Sequence, residues 1–163
     1  GLPVLGICYG FQLICEAFSH GSVRTASSRE DGQKWVTVSE SSVLFAETPV
    51  RQRVLLTHAD SVSDVSGSPL RVTARSDECV VAVEHENGRL FGLQFHPETD
   101  LTEYGTQIFK NFLFKIAHCS PTFTIESRET QCIKEIRETM ARCKAVVMLL
   151  SGGVDSSVCC KML

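Results

Sequence analysis

An α/β fold is predicted for this 163-residue chain by three features. Near the start, the apolar run Val4–Ile7 passes directly into a segment of helical periodicity. Near the end, Ala145–Leu150 passes in the same way into a Gly-Ser loop. Between them lie short strand-like stretches punctuated by turn residues, and such alternation favours strands and helices packed in layers.

Val4-Leu5-Gly6-Ile7 is continuous and apolar, as expected of a strand covered on both faces. After Cys8-Tyr9-Gly10, residues 11–18 carry helical periodicity, which stops near His20-Gly21. Strands are predicted at 35–39, 53–57, 71–75 and 79–85, with turns at Asp31-Gly32, Gly67-Ser68-Pro69 and Asn87-Gly88. Leu90–Phe95 is a further strand, ended at His96-Pro97-Glu98 because proline cannot donate to a ladder. A helix over 103–117 would place Ile108, Phe109, Phe112, Leu113 and Ile116 on one face. Cys119-Ser120-Pro121-Thr122 reads as a linker. A second amphipathic helix follows at 127–143, with Ile133, Ile136 and Met140 on one side and Ser127 as its N-cap. Ala145–Leu150 then reads as a buried strand.

Composition narrows the function. A net charge of −3 lacks the basic excess of a nucleic-acid surface, and no apolar run reaches the roughly 20 residues that span a bilayer. The eight cysteines form no C-x-x-C pair and have no histidine at zinc-ligand spacing, so free thiols in a reducing cytoplasm are expected and no metal site is assigned. Gly1-Leu2-Pro3 is not expected as a natural start, and Lys161-Met162-Leu163 ends within an expected helix, so both ends read as cut.

Two segments carry nucleophilic chemistry. Gly6-Ile7-Cys8-Tyr9-Gly10 sets glycines two before and two after a cysteine at a strand-to-helix corner. That pattern suits a tight elbow that lifts a thiol at a helix N-terminus, where the thiolate is favoured. It equally suits a buried structural cysteine beside a glycine-rich turn. Gln94-Phe95-His96-Pro97-Glu98 places a base and a carboxylate two residues apart at a strand exit, the pairing that orients an imidazole. A structural histidine is the alternative there. Together the segments supply Cys, His and Glu, the parts of an acyl-transfer site.

Gly6–Gln12 and Gln94–Glu98 resemble the two signatures of the class I (triad-type) glutamine amidotransferases. The resemblance implies a flavodoxin-like, doubly wound and mostly parallel sheet that releases ammonia from the glutamine side chain. It implies Cys8 as nucleophile, His96 as general base and acid, and Glu98 as the orienting carboxylate. Tyr9 would supply an oxyanion N–H, and Gln12 would help hold glutamine. In the family, leading strands and an oxyanion loop precede this segment, so the N-terminal strands are expected to be missing here.

Ser151-Gly152-Gly153-Val154-Asp155-Ser156-Ser157 lacks the Gly-Lys-Ser/Thr ending of a Walker loop. Glycines before a helix let backbone N–H groups approach a phosphate, and the string is similar to the PP-loop of the ATP-pyrophosphatase superfamily. The resemblance implies that Ser151, Gly152, Gly153, Val154, Ser156 and Ser157 contact ATP and that Asp155 serves magnesium or the phosphate network. An amidotransferase followed by a PP-loop is similar to the GMP-synthetase family, as are Arg29–Gly32, Leu55–Val62 and Lys110–Leu113. This implies an amidotransferase domain at 1–118, a linker and helix at 119–144, and the first strand and loop of an adenine-nucleotide α-hydrolase-like domain at 145–163. It further implies glutamine, ATP with Mg2+ and XMP as substrates of a homodimeric full-length enzyme. Ala59 and Phe11 depart from the usual glycine and methionine, and a positive φ at Ala59 would cost about 1–2 kcal/mol. Two alternatives remain: a non-catalytic product acting through association at open sheet edges, and another class I amidotransferase, against which the PP-loop speaks.

Overall fold

Strand β1 (Val4–Ile7) leads into helix α1 (Tyr9–Phe18), and five strands follow: β2 (Val23–Val38), β3 (Arg51–Val62), β4 (Leu70–Arg75), β5 (Val80–His85) and β6 (Leu90–Leu93). Helix α2 (Gly105–Lys110) continues as a π-helical turn over Asn111–Ile116; α3 (Ile125–Met140) and α4 (Val154–Met162) close the chain. This is a computed structural model. It describes residues 1–122 and 124–163, without the side chains of 26–28 and 127. The chain forms two units, Gly1–Cys119 and Ser120–Leu163.

In the first unit six strands form one sheet in the order β1-β6-β5-β3-β2-β4. Among the described residues only β1 and β6 pair in parallel; β2–β3, β2–β4, β3–β5, β4–β5 and β5–β6 are antiparallel. The parallel majority that the resemblance implied is therefore not present within this chain. The cause lies in the connections: from β2 onward strands follow one another through turns and short loops, which favour antiparallel neighbours, and a parallel pair needs a long crossover.

Side chains alternate along β6 and feed two cores. Phe91 and Leu93 join Val36, Leu44, Phe45, Val54, Leu56 and Phe95 beneath Ile108 and Phe112 of the α2 segment. Leu90 lies with Phe11, Ile14, Cys15, Val62, Val80 and Val83 beneath α1. Helices thus cover both faces of the sheet, as in a doubly wound α/β fold. Phe91 meets Phe112 edge-on, with ring centroids 6.1 Å apart. Phe11, a departure from the family pattern, is fully buried in the α1 core.

Several sequence expectations shift. Asp31-Gly32 is not a turn: both residues lie inside β2, opposite Thr57 and Leu56, with Gly32 at φ +94°. Only a glycine takes that φ without strain, and the ladder stays in register through the dipeptide, the irregularity of β2 lying between Thr25 and Glu30. Gly67-Ser68-Pro69 and Asn87-Gly88 do separate strands as expected, and Gly88 at φ +65° returns its N–H to His85. The expected 103–117 helix starts at Gly105 and widens at Asn111, where Ala117 N–H bonds Phe112 O five residues back, 2.8 Å away. Buried Asn111 explains the widening, because its Nδ2 caps Leu44 O at 3.0 Å and Ala46 O at 2.7 Å. Ala59 lies within β3 and is not among the positive-φ residues, so the anticipated strain is absent.

In the second unit α3 begins at Ile125, two residues before the expected start; Ser127, the expected N-cap, falls within it, and its side chain lies outside the described residues. Ala145–Leu150 is not a strand: no described segment pairs with it, and Val147 and Leu149 are exposed. An apolar sequence alone does not make a strand, because its backbone groups need a ladder partner. No helix among the described residues is long and apolar enough to cross a membrane.

Candidate active site

The parallel pairing of β1 and β6 sets Ile7 opposite Leu93, so Cys8 and the Gln94–Glu98 segment leave the same end of adjacent strands. Cys8 N–H bonds Leu93 O at 2.7 Å, which ties the corner to β6. Cys8 itself adopts φ 53°, ψ −105°, a sparsely populated conformation for a residue with a Cβ. Strain of this type costs about 1–3 kcal/mol and collects at functional turns. It directs the chain into α1 with Cys8 as N-cap, and no side chain caps that end. The two flanking glycines differ. A Cβ on Gly6 would lie 2.7 Å from the Gly10 backbone and 2.6 Å from Ile14 Cδ1, whereas one on Gly10 would meet nothing within 4 Å.

His96 is held from several directions. Its N–H bonds Leu55 O of β3 at 3.1 Å, and its carbonyl accepts from Thr102 Oγ1 at 2.7 Å. Thr102 Oγ1 in turn accepts the Leu55 N–H at 3.1 Å, bracing strand and turn together. Gly105 fits beneath Pro97, where a Cβ would run into the Pro97 backbone. His96 Nδ1 meets Glu98 Oε1 at 2.6 Å, a short contact that orients the ring. Nε2 is buried and has no hydrogen-bond partner among the described residues. An imidazole with one nitrogen on a carboxylate and the other unengaged is arranged to exchange a proton.

Beside the sulfur sits an amide pair. Gln94, fully buried, brings Nε2 to 3.9 Å from Cys8 Sγ, while its Oε1 accepts from Gln12 Nε2 at 3.1 Å. Gln12 Nε2 also donates to Asp60 O at 3.0 Å. Tyr9, the first residue of α1, has an exposed side chain. Gln94, Thr102, Asp60 and Gly105 were not anticipated. Gln94 stands within the second signature without a role of its own, Asp60 and Thr102 depend on pairings across 40 or more residues that no local pattern encodes, and Gly105 matters only through its packing against Pro97.

A second buried cluster could accept a metal by residue type: Glu30, His58 and Cys79 present ligand atoms within 4.8 Å of one another. Their atoms already serve one another. Cys79 Sγ donates to Glu30 Oε2 at 2.9 Å, and His58 Nε2 lies 3.2 Å from the same oxygen, though off the line of a hydrogen bond. Burial, and then the Glu30 contact, push the Cys79 thiol up to about 12. The three side chains thus form a buried polar cluster joining β2, β3 and the start of β5.

The Ser151–Ser157 loop lies in the second unit. Gly152 has φ +80° and Gly153 is the N-cap of α4 without a side-chain cap, leaving the helix end to backbone N–H groups. Ser151 Oγ lies 3.1 Å from Ser156 Oγ, and Ser156 and Ser157 hydroxyls donate to Gly153 O. Asp155 stands in the first turn of the helix.

Residues 1–116 match the family model described as glutamine amidotransferase class-I. The chain belongs to the class I glutamine amidotransferases. It is 48% identical over its whole length to a Caenorhabditis elegans protein named "probable GMP synthase (glutamine-hydrolyzing)" and 40% identical, over 99% of its length, to the GMP synthase of Dictyostelium discoideum. It spans 22% and 23% of those two proteins. Among solved structures, a candidate GMP synthase component from Thermoplasma acidophilum superposes with a TM-score of 0.65 at 32% identity, covering 79% of this chain and 60% of that one. A Thermotoga maritima glutamine amidotransferase, at 24% identity and a TM-score of 0.51, shares the fold over 85% of this chain and 60% of its own.

Proposed function

We propose that the first unit hydrolyses glutamine through Cys8, His96 and Glu98, and that the ammonia serves ATP-dependent amination of XMP to GMP in a longer protein. The observation that carries the reading is the Ile7–Leu93 register, which brings a strained cysteine elbow and a 2.6 Å His–Glu pair to one end of the sheet. The GMP synthase relatives support the choice of ammonia acceptor.

In the reaction, His96 Nε2 takes the proton of the Cys8 thiol, and the resulting thiolate attacks the side-chain carbonyl carbon of glutamine. The Tyr9 N–H at the start of α1 faces the developing oxyanion. The C–N bond breaks as His96 Nε2 delivers a proton to the departing nitrogen, leaving a thioester on Cys8. His96 then takes a proton from water, which cleaves the thioester to glutamate and restores the thiol. Glu98 holds the ring in one orientation throughout. Gln12, with Nε2 engaged by Asp60 and Gln94, borders the glutamine site.

The residues of the second loop fit a polyphosphate. Gly152 permits the left-handed turn, the uncapped α4 end presents N–H groups, and Ser151, Ser156 and Ser157 add hydroxyls. Ser151–Ser157 would hold ATP, and Asp155 would serve Mg2+, which supplies charge neutralisation when bound. The decisive experiment treats the protein with a glutamine-mimicking electrophile and maps the adduct by peptide mass spectrometry. Labelling falls on Cys8 and disappears in Cys8→Ala; labelling elsewhere that persists in the variant removes Cys8 from its role.

A further inference from the structure

We propose that Gln94 is a positioning residue for the Cys8 sulfur, its amide locked in one orientation by Gln12 and the Asp60 main chain. The inference rests on Cys8 as nucleophile and adds a group to its surroundings. A backbone carbonyl can only accept, so the Gln12 atom facing Asp60 O must be Nε2, 3.0 Å away. The second hydrogen of that NH2 group reaches Gln94 at 3.1 Å, so Gln94 must present Oε1 there. Its Nε2 is then left facing Cys8 Sγ at 3.9 Å. Turning the Gln94 amide over would oppose two NH2 groups in a buried space, leaving donors unpaired.

The Asp60 carbonyl is also tied to its own strand and to β2. Asp60 O also meets His58 Nδ1 at 2.9 Å, and His58 Nε2 lies 3.2 Å from Glu30 Oε2, which accepts from Cys79. Glu30 and His58 are register partners on β2 and β3, so these polar contacts run from paired strands to the elbow. An N–H aimed at sulfur favours thiolate over thiol and restrains its rotamer. The long separation limits the effect to roughly three- to tenfold.

The test follows iodoacetamide alkylation of Cys8 in the 163-residue chain from about pH 5 to pH 10 by peptide mass spectrometry, with exposed Cys143 as internal reference. Titratable groups on the surrounding elements include Tyr9, Cys15 and Glu16 of α1, His58 and Asp60 of β3, and His96 and Glu98, and none is altered in the Gln94 and Gln12 variants. Gln94→Met is expected to slow Cys8 at neutral pH by about three- to tenfold relative to Cys143 and to move its midpoint upward. Gln94→Glu, of the same shape but without the N–H, moves it further. Gln12→Met, which releases the amide, acts in the Gln94→Met direction and decides the matter if Gln94→Met fails to show a cooperative thermal transition. Unchanged midpoints in the folded variants overturn the proposal. If wild-type Cys8 reacts no differently from Cys143 and is indifferent to His96→Ala, the nucleophile assignment fails and this inference with it. A Cys8 profile that depends on His96 but not on Gln94 overturns the positioning role alone.

Discussion

Gly6→Ala and Gly10→Ala are opposite perturbations of two glycines that stand symmetrically about Cys8. The added methyl at Gly6 lies 2.7 Å from both the carbonyl carbon and oxygen of Gly10, and 2.6 Å from Ile14 Cδ1. Ordinary carbon contacts begin near about 3.5 Å, so strand and helix must separate by roughly 0.8 Å. Ile14 can rotate, but the Gly10 backbone moves only with the start of α1. Overpacking of this type costs about 1–3 kcal/mol. Displacing a reacting group by about 1 Å can also cost roughly a hundredfold in rate. Gly10→Ala meets open space and replaces a helical glycine, so it is neutral or stabilising by up to about 1 kcal/mol. Urea unfolding of both variants measures the difference, and Cys8 alkylation reports the elbow. A Gly6→Ala chain as stable as Gly10→Ala, with unaltered Cys8 reactivity, would refute the packing argument.

Three further outcomes are expected. Burial pushes the thiols of Cys15 and Cys79 up to about 12 from an ordinary 9.0. Because the folded value is the raised one, their contribution is fully present below about pH 9 and lost as pH rises towards about 12. Thermal midpoints should therefore fall across the lower part of that range, and less so in a Cys15→Ala/Cys79→Ala chain. Asn111→Ala strips the donor from Leu44 O and Ala46 O, and should cost about 1–3 kcal/mol in urea unfolding. His96→Ala should lower electrophile labelling at Cys8 by about 10²–10⁴, with a smaller loss for Glu98→Gln, read as initial labelling rates.

The chemistry-bearing residues were legible because each group is written in a few adjacent positions. Cys8 between two glycines and His96 two before Glu98 are local statements about a corner and a strand exit. Strand locations in the middle were legible for the same reason, since β-branched runs and turn dipeptides are local signals. Their lengths were not: β2 extends back to Val23 because β3 offers it a partner as far as Val62. Asp31-Gly32 misled for the same cause, as pairing with Thr57 and Leu56 overrode the turn preference. Ala145–Leu150 erred the other way, with strand-like residues and no described partner.

Residue type along the chain therefore established the α/β class, the amidotransferase signatures and the three residues proposed for the chemistry. The fold alone assembled them, by setting Ile7 beside Leu93 across 86 positions and bracing His96 with Thr102 and Leu55. It also distinguished Gly6 from Gly10 and gave the Gln94 amide its direction. The physical reason is common to all four. Backbone geometry and side-chain chemistry are properties of a few neighbouring residues, whereas steric clearance and hydrogen-bond direction depend on atoms brought close only by packing.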